Sequence, residues 1–259
     1  MQSGASEAAF TLSIDLELDL EQQTEASRQR LDDIRTELIA LLEHHKLPAT
    51  WAVADPAVSA ATEPILASSI EHEIAVLADR SWFGPGAGRM RLRRELSRRF
   101  ERARRAGIPV STLVLRNVQE ITEIDLLMEQ GVTAIRGAAV DAWDAANPLR
   151  SLSRADIWHL PVAWQFPAQA PWWLPTNWSL KRRIRQRLRH QGSVHLAIDT
   201  PQLVDGDPNA LESLSQLLSW VAALRDVGDL HVATMSALGK AFLQQHVAVP
   251  SRSILRPAA

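Results

Sequence analysis

Residues 10–16, FTLSIDL, decide the fold, because this short apolar run ends in acidic residues and opens a repeating pattern. Residues 49–54, ATWAVA, form a second apolar run of strand length. Between the two, Ile34 and Leu38 belong to an amphipathic helical pattern. A strand, a helix and a second strand in succession indicate a crossover between parallel strands, since parallel neighbours cannot be joined by a tight turn.

The same alternation continues to the end of the chain. Further strand-like runs lie at residues 73–77, 110–115, 132–135, 157–164, 193–198 and 230–235. Seven or eight such units in 259 residues favour a closed or partly open barrel over an open sheet. We therefore predict an α/β protein with a single distorted (β/α)7-8 barrel over residues 1–246, followed by a disordered tail at 247–259.

Composition excludes several classes of protein. With 46% apolar residues and a net charge of -2, the chain is neither disordered nor fibrous. Zero cysteine excludes disulfide scaffolds, thiolate zinc sites and thiol nucleophiles, so a metal site would need His, Asp and Glu. The first ten residues carry no basic region or apolar run, and no stretch approaches the roughly 20 apolar residues of a membrane span. We expect a cytoplasmic protein.

Basic residues are clustered although the total charge nearly cancels. Nine arginines lie within residues 89–105, and six basic residues lie within 181–189. Such clusters can bind polyanions. However, Leu92, Leu96 and Phe100 recur at helical spacing, which favours the solvated face of an amphipathic helix. Nucleic acid is the least favoured partner, because the net charge is negative and no nucleic-acid motif is present.

In a β/α barrel the site lies at the carboxyl ends of the strands, where side chains from separate strands converge. The residues at these predicted ends are Asp15, Glu17, Asp55, Arg116 and Asp199. A strand-end aspartate also often caps the next helix, and we favour this role for Asp55, which directly precedes a proline. The remaining residues form a set of carboxylates with one arginine.

A family resemblance follows from the order of several blocks. The sequences FTLSIDLE, LPATWAVAD, EHEIAVLADRSW, VSTLVLRN, IWHLPV and VHLAIDTP resemble, in this order, the motifs of polysaccharide deacetylases, the NodB-homology family of carbohydrate esterases. The resemblance covers about residues 10–240 and implies a distorted β/α barrel. Members of the family remove acetyl groups from sugars with a divalent metal such as zinc, so the resemblance implies carbohydrate or an acetylated sugar as partner.

The chain departs from this family at the metal site. Asp15 matches the catalytic base, but the positions of the three expected ligands hold Leu16, Leu77 and Ser81. A leucine has no lone pair to give, and one serine is a poor ligand for a divalent ion. We therefore predict that the protein uses no metal or other cofactor.

Two further positions carry over from the family motifs. Arg116 matches the arginine that orients the base, and Asp199 stands where the family has a histidine as general acid. Asp15 and Arg116 would then form either a structural ion pair or a contact to ligand, and both alternatives stay open.

Histidines and tryptophans complete the set of candidates. His72 is interpreted as a surface or packed residue, and His195 and His231, inside strands, as core histidines with satisfied hydrogen bonds. Trp82 belongs to a loop, SWFGPGAG, that could cover the mouth of the barrel. The candidate substrate-binding residues are Glu17, Asp55, Trp82, Trp172 and Trp173. Trp172 and Trp173 could stack on a sugar ring, although packing of their loop onto the barrel is the favoured alternative.

These observations support three hypotheses. The first is a metal-free, deacetylase-like protein of carbohydrate metabolism. It would lack deacetylase activity and act as a carbohydrate-binding or regulatory component. The second is a hydrolase of N-acetyl (non-peptide carbon–nitrogen) or ester bonds, with a site rebuilt from Asp15, Glu17 and Asp199. The third is a polyanion-binding protein that uses the arginine-rich helices.

Overall fold

A computed structural model describes most of the chain. The described residues are 8–18, 23–78, 80–83, 88–116, 123–137, 150–152, 157–167, 176–206 and 209–247. The strands are β1 (Ala9–Asp15), β2 (Thr50–Val53), β3 (Glu73–Ala78), β4 (Thr112–Leu115), β5 (Ala134–Arg136), β6 (Arg150–Leu152), β7 (Ile157–Leu160), β8 (Trp164–Phe166), β9 (Ser193–Asp199) and β10 (His231–Ala233). The helices are α1 (Glu25–His45), α2 (Thr62–Leu66), α3 (Arg80–Phe83), α4 (Gly88–Arg105), α5 (Ile124–Glu129), α6 (Thr176–Gln191), α7 (Thr200–Val204), α8 (Ala210–Asp226) and α9 (Met235–Val247).

Two predicted features lie outside the described residues: the segment 248–259 of the predicted tail, and the pair Trp172 and Trp173. The predicted boundary of the barrel at residue 246 falls in the last turn of α9. Of the helices in the described ranges, none is both long and apolar enough to cross a bilayer.

The strands form one sheet in the order β6-β7-β5-β4-β3-β2-β1-β9-β8, with β10 also paired to β1. Of the described pairings, only β6 with β7 is antiparallel. Helices connect β1 to β2, β2 to β3, β3 to β4, β4 to β5 and β8 to β9, as the sequence pattern predicts. The prediction of an α/β barrel fold is confirmed.

The link between β7 and β8 shows why the sheet must curl. The two strands are consecutive in the chain and joined by residues 161–163, yet seven inter-strand steps separate them in the sheet. Seven steps at about 4.8 Å would span roughly 34 Å in a flat sheet, whereas the link reaches at most about 14 Å. The sheet therefore bends round until its two sides approach. The run 157–164, predicted as one strand interrupted at Pro161, is in fact divided between these two sides.

Strand β1 lies at the centre of the structure, and all seven of its residues are buried. Phe10, Leu12 and Ile14 pack into the large cluster under the surrounding helices. The alternate residues, Thr11 and Ser13, point to the opposite face and hydrogen-bond to a histidine of β9 inside the barrel. The barrel interior near β1 is therefore polar although it is buried.

The base of the barrel is closed by α9, and Glu73 fixes the start of this helix. Its carboxylate accepts hydrogen bonds from the hydroxyl of Thr50 (2.8 Å), from the hydroxyl of Thr112, and from the backbone N–H of Ser236 (3.1 Å). The hydroxyl oxygen of Thr50 accepts from the N–H of Met235 at 3.0 Å. A carboxylate at a helix N-terminus is also favoured by the helix dipole.

Replacing Glu73 with alanine is expected to lower the free energy of unfolding by about 2–4 kcal/mol, because two buried hydroxyls and one helix N–H lose their acceptor. Chemical denaturation would measure this loss. Glu63→Ala, at an exposed position of α2, is the control and should change stability little. Equal stability of the two variants would show that Glu73 does not hold α9 in place.

Candidate functional site at the barrel mouth

Asp15 and Asp199 meet at the mouth of the barrel. They are direct partners in the pairing of β1 with β9, at the last residue of each strand. Both are buried, with 5% and 8% of their surfaces exposed. Arg116, directly after β4, reaches the same place, since its Nη2 lies 3.8 Å from Oδ1 of Asp199. The structure thus brings together the three residues that the sequence predicts as a catalytic set.

The ion-pair partner of Asp15 is Arg136, at the end of β5, and not the predicted Arg116. Its Nη1 and Nη2 donate to Oδ1 and Oδ2 of Asp15, both at 2.6 Å, so the guanidinium engages both carboxylate oxygens. The side chains are only 5% and 7% exposed. Of the two alternatives left open for Asp15 and Arg116, the structural ion pair between them is therefore wrong. Arg136 directly follows the predicted strand 132–135, and extending that strand by one residue would have identified it.

A chain of hydrogen bonds continues from Arg136 into the barrel. Its Nη1 also donates to Oγ of Ser13 at 2.8 Å. Ser13 Oγ lies 2.9 Å from Nε2 of His195, and Nδ1 of His195 lies 2.6 Å from Oγ1 of Thr11. Burial holds the pKa of His195 well below its usual value, and the nearby charge of Arg136 lowers it further. His195 is thus a neutral core histidine with both ring nitrogens bonded, as predicted.

The other two histidines differ from each other. His72 is buried, its Nδ1 accepts the N–H of Ala49 at 3.2 Å, and burial lowers its pKa to about 4. His72 is therefore a packed histidine, which is one of the two predicted alternatives. His231 is exposed at the start of β10, so its interpretation as a core histidine is wrong.

One oxygen of Asp199 accepts no hydrogen bond within the described residues. Its Oδ2 accepts from Nε2 of Gln165 (2.7 Å) and of Gln202 (2.9 Å). Its Oδ1 is buried and accepts no hydrogen bond from the described part of the chain. Burial raises the pKa of Asp199, the nearby Arg116 lowers it, and the negative charge of Asp15 raises it. The result is a buried carboxyl with a raised pKa, one oxygen of which has no hydrogen bond among the described residues and only the longer contact to Arg116.

Glu17 and Arg116 connect the ends of neighbouring strands. Nη1 of Arg116 donates to the backbone carbonyl of Glu17 at 2.8 Å, and Oε1 of Glu17 accepts the N–H of Ala54 at 2.7 Å. Glu17 therefore lies at the mouth as predicted, with one carboxylate oxygen bonded to the backbone after β2.

Asp55 begins a turn rather than a helix. Residues 56–58 form this turn, and the following helix, α2, begins only at Thr62. Oδ1 of Asp55 accepts the N–H of Ala57 at 3.3 Å, and Oδ2 accepts from Nη1 of Arg102 at 2.7 Å. The capping role that we favoured is corrected to a turn-stabilising role with an added ion pair.

The arginine-rich helix α4 is amphipathic as predicted, with Leu92, Leu96, Phe100 and Ala103 buried. Several of its arginines are bonded within the protein: Arg89 to Asp125, Arg93 to Glu129, Arg99 to Glu95, Arg102 to Asp55 and Arg105 to Glu101. These ion pairs agree with the prediction of a solvated helix face. The pair of Arg102 with Asp55 also connects α4 to the mouth.

Trp82 lies in the core and not on the surface of the mouth. It is 2% exposed and packs in the cluster of α4 and β3, with the guanidinium of Arg99 4.7 Å from its ring centre. Its predicted loop begins as the short helix α3, and residues 84–87 of that loop lie outside the described residues. The position of Trp82 favours packing over contact with ligand.

The residues at the expected metal site do not fit a divalent ion. Leu77 packs in an apolar cluster inside the barrel, Leu16 is also buried, and Ser81 is exposed on α3. Both carboxylate oxygens of Asp15 are engaged by Arg136. Across the described residues, no group of three His, Cys, Asp or Glu side chains could hold a metal ion.

A cleft opens beside the mouth and has the volume of a small-molecule site. It measures about 460 Å³ and includes Glu17 and Asp55 in its wall. The facing wall is one stripe of α1 that contains Arg28, Leu31, Asp32 and Arg35. Nε of Arg35 is buried without a hydrogen-bond partner among the described residues. The cleft therefore offers donors, acceptors and apolar surface together.

Comparisons with known proteins agree on the fold. No family model and no curated protein sequence matches the chain. Among solved structures, a candidate polysaccharide deacetylase involved in O-antigen biosynthesis, from Bordetella bronchiseptica, is similar with a TM-score of 0.51 and 16% identity, over 85% of this chain and 91% of that one.

Two larger proteins contain a similar region. The 4-alpha-glucanotransferase from Thermococcus litoralis has a TM-score of 0.59 at 12% identity, over 89% of this chain and 40% of its own. A candidate hydrolase from Bacteroides thetaiotaomicron has a TM-score of 0.55 at 10% identity, over 90% of this chain and 44% of its own. The chain thus spans less than half of either protein, and at these identities the similarity shows the fold alone.

Removing either member of the buried ion pair is expected to destabilise the protein by about 3–5 kcal/mol, because the remaining charge stays buried without a partner. The variants are Asp15→Leu and Arg136→Met, and urea unfolding is the measurement. The double variant should lose less than the sum of the two single losses. Glu129→Gln, which breaks an exposed pair with Arg93, is the control and should cost less than about 1 kcal/mol. Additive losses at Asp15 and Arg136 would contradict the pairing.

Proposed function

We propose that this protein is a metal-independent, deacetylase-like protein of carbohydrate metabolism that binds carbohydrate at the barrel mouth. The observation that carries the proposal is the ion pair of Asp15 with Arg136. A guanidinium occupies both oxygens of the residue that matches the catalytic base, and apolar side chains lie at two of the three ligand positions. Without a bound ion, nothing in this set would polarise an acetyl carbonyl or activate water for attack.

The chemistry of the mouth and cleft supports a polyhydroxylated ligand. Sugar hydroxyls both donate and accept hydrogen bonds, so their binding requires acceptors and donors in one site. Oδ1 of Asp199 supplies an acceptor, and the ion pair of Arg35 with Asp32, whose Nη1 and Oδ1 lie 2.7 Å apart, supplies a donor and an acceptor in the wall of the adjoining cleft. The similar structures include a candidate polysaccharide deacetylase and a glucanotransferase, and this supports a sugar as the class of ligand.

With acetylated chito-oligosaccharides and acetyl esters as substrates, and with zinc, nickel or cobalt added, we expect no release of acetate. Isothermal titration calorimetry should still detect binding of the oligosaccharide. Asp199→Asn and Arg35→Met should each weaken this binding about tenfold, which corresponds to roughly 1.4 kcal/mol.

The matched controls are Asp229→Asn and Arg30→Met, which change exposed residues outside the mouth and the cleft. Both should bind as the unmodified protein does. Stoichiometric retention of a metal together with acetate release would overturn the metal-independent part of the proposal. Absence of binding to any acetylated or unacetylated oligosaccharide would overturn the carbohydrate part.

A hydrolase with a rebuilt carboxylate site is the second candidate, and the raised pKa of Asp199 favours it. A carboxyl with a raised pKa can donate a proton to a leaving group near neutral pH. Asp15 is less suited to act as its base, because its carboxylate is bonded at both oxygens to Arg136. The target in this case is an N-acetyl or ester bond.

If Asp199 is the general acid, turnover of an activated acetyl ester should fall as the pH rises through its raised pKa, because only the protonated form donates. Asp199→Asn should abolish this turnover, whereas Asp229→Asn should retain both the rate and the pH profile. A profile unchanged in Asp199→Asn would remove Asp199 from the mechanism.

A further inference from the structure

Arg187 of α6 is a buried cation that forms no ion pair within the described residues. It is 8% exposed, and none of the described carboxylates forms an ion pair with it. Its Nε is buried without a hydrogen-bond partner in the described residues, and its guanidinium lies 5.7 Å from the ring centre of Trp164. Burial lowers the pKa of Arg187, because the charged form loses its hydration. A buried charge of this kind is unfavourable unless something of opposite charge joins it.

Arg187 borders a small space beside the first half of β9. Thr11, Ser193 and His195 also line it, and the rest of its wall is mainly apolar. The link between β7 and β8 closes its other side with Pro161 and Ala163. Its volume of about 10 Å³ accommodates one particle of the size of a water molecule.

The hydrogen bonds of His195 indicate where the hydroxyl proton of Thr11 points. Oγ of Ser13 already accepts from Arg136, so its own proton can go to Nε2 of His195. Nδ1 then carries the ring proton and donates to Oγ1 of Thr11. The hydroxyl proton of Thr11 is left for the space that this residue lines.

The opposite tautomer of His195 is less favourable. Nε2–H and Arg136 would both donate to Ser13, and the hydroxyl proton of Ser13, a residue with no exposed surface, would have no acceptor among the described residues. It would also turn an N–H bond, rather than a lone pair, toward the charge of Arg136. Each tautomer leaves one buried hydroxyl proton without an acceptor among the described residues, that of Thr11 or that of Ser13. The charge of Arg136 therefore decides for the Nδ1–H tautomer, because this tautomer turns a lone pair toward the guanidinium.

We propose that the space binds a single monatomic anion such as chloride, held by the guanidinium of Arg187 and the hydroxyl of Thr11. The charge of Arg187 favours an anion over a water molecule. The volume favours a monatomic ion over a phosphate or sulfate, whose four oxygens need more room. This site is separate from the proposed carbohydrate site, because neither Asp15 nor Asp199 lines it. Its Thr11 is connected to the mouth only through the hydrogen bonds of His195, Ser13 and Arg136.

The experiment measures the thermal unfolding temperature while chloride replaces gluconate at constant ionic strength. A ligand that binds only the folded state raises this temperature, and chloride should do so in the unmodified protein. Arg187→Met should lose the chloride-dependent rise, and Thr11→Val should raise the apparent dissociation constant for chloride at least threefold. Arg189→Met, at an exposed position of the same helix, is the matched control and should keep the rise.

Two structural measurements complete the test. Crystals soaked in bromide should show an anomalous peak within hydrogen-bond distance of Arg187, and nitrogen-15 spectra should show the Nδ1–H tautomer of His195, assigned by its loss in His195→Gln. A chloride-dependent rise that persists in Arg187→Met, or bromide-soaked crystals with no peak at Arg187, would overturn the anion site. The Nε2–H tautomer in the unmodified protein would overturn the role of Thr11 as a donor.

Discussion

The structure depends on an ion pair that crosses the interior of the barrel. Asp15 belongs to β1 and Arg136 to β5, and three strands separate these two in the sheet. The guanidinium can reach the carboxylate because the sheet curls. The pair in turn ties opposite walls of the barrel together. A buried pair of this kind does not by itself add much net stability, but the loss of either member is strongly unfavourable. Neither Asp15 nor Arg136 can therefore be replaced alone without leaving the other charge buried and unpaired.

Hydroxyl groups make the polar interior of the barrel possible. At the mouth end, Ser13 connects Arg136 to His195, and at the base Thr50 connects Glu73 to the start of α9. A serine or threonine hydroxyl can donate and accept at once, so it links two groups that could not otherwise bond to each other. The barrel is therefore filled by small apolar side chains and by two bonded networks, one near each end.

The sequence was sufficient to predict the fold and the strand ends, because alternating strands and helices restrict the topology and parallel strands end on one face. Asp15, Arg116 and Asp199 were found in this way. Arg136, the partner of Asp15, was not predicted, because its identity depends on which distant strand faces β1 across the curled sheet. The burial of Trp82 was not predicted either, because its sequence neighbours include glycine and proline, whereas in the structure α4 packs over it.

Arg136 determines which carboxylate at the mouth can bind a ligand, because it engages both oxygens of Asp15. A carboxylate bonded at both oxygens to a guanidinium has both oxygens already engaged and offers a ligand less than an unpaired one does. Asp15 therefore has a structural role, and recognition at the mouth falls to Asp199, whose Oδ1 accepts no hydrogen bond among the described residues and lies 3.8 Å from Nη2 of Arg116. Gln165 and Gln202 fix the other oxygen of Asp199, so the open one has a defined direction. A single, rigidly held acceptor next to Arg116 suits the selective binding of a hydroxyl or amide group better than it suits metal-assisted hydrolysis.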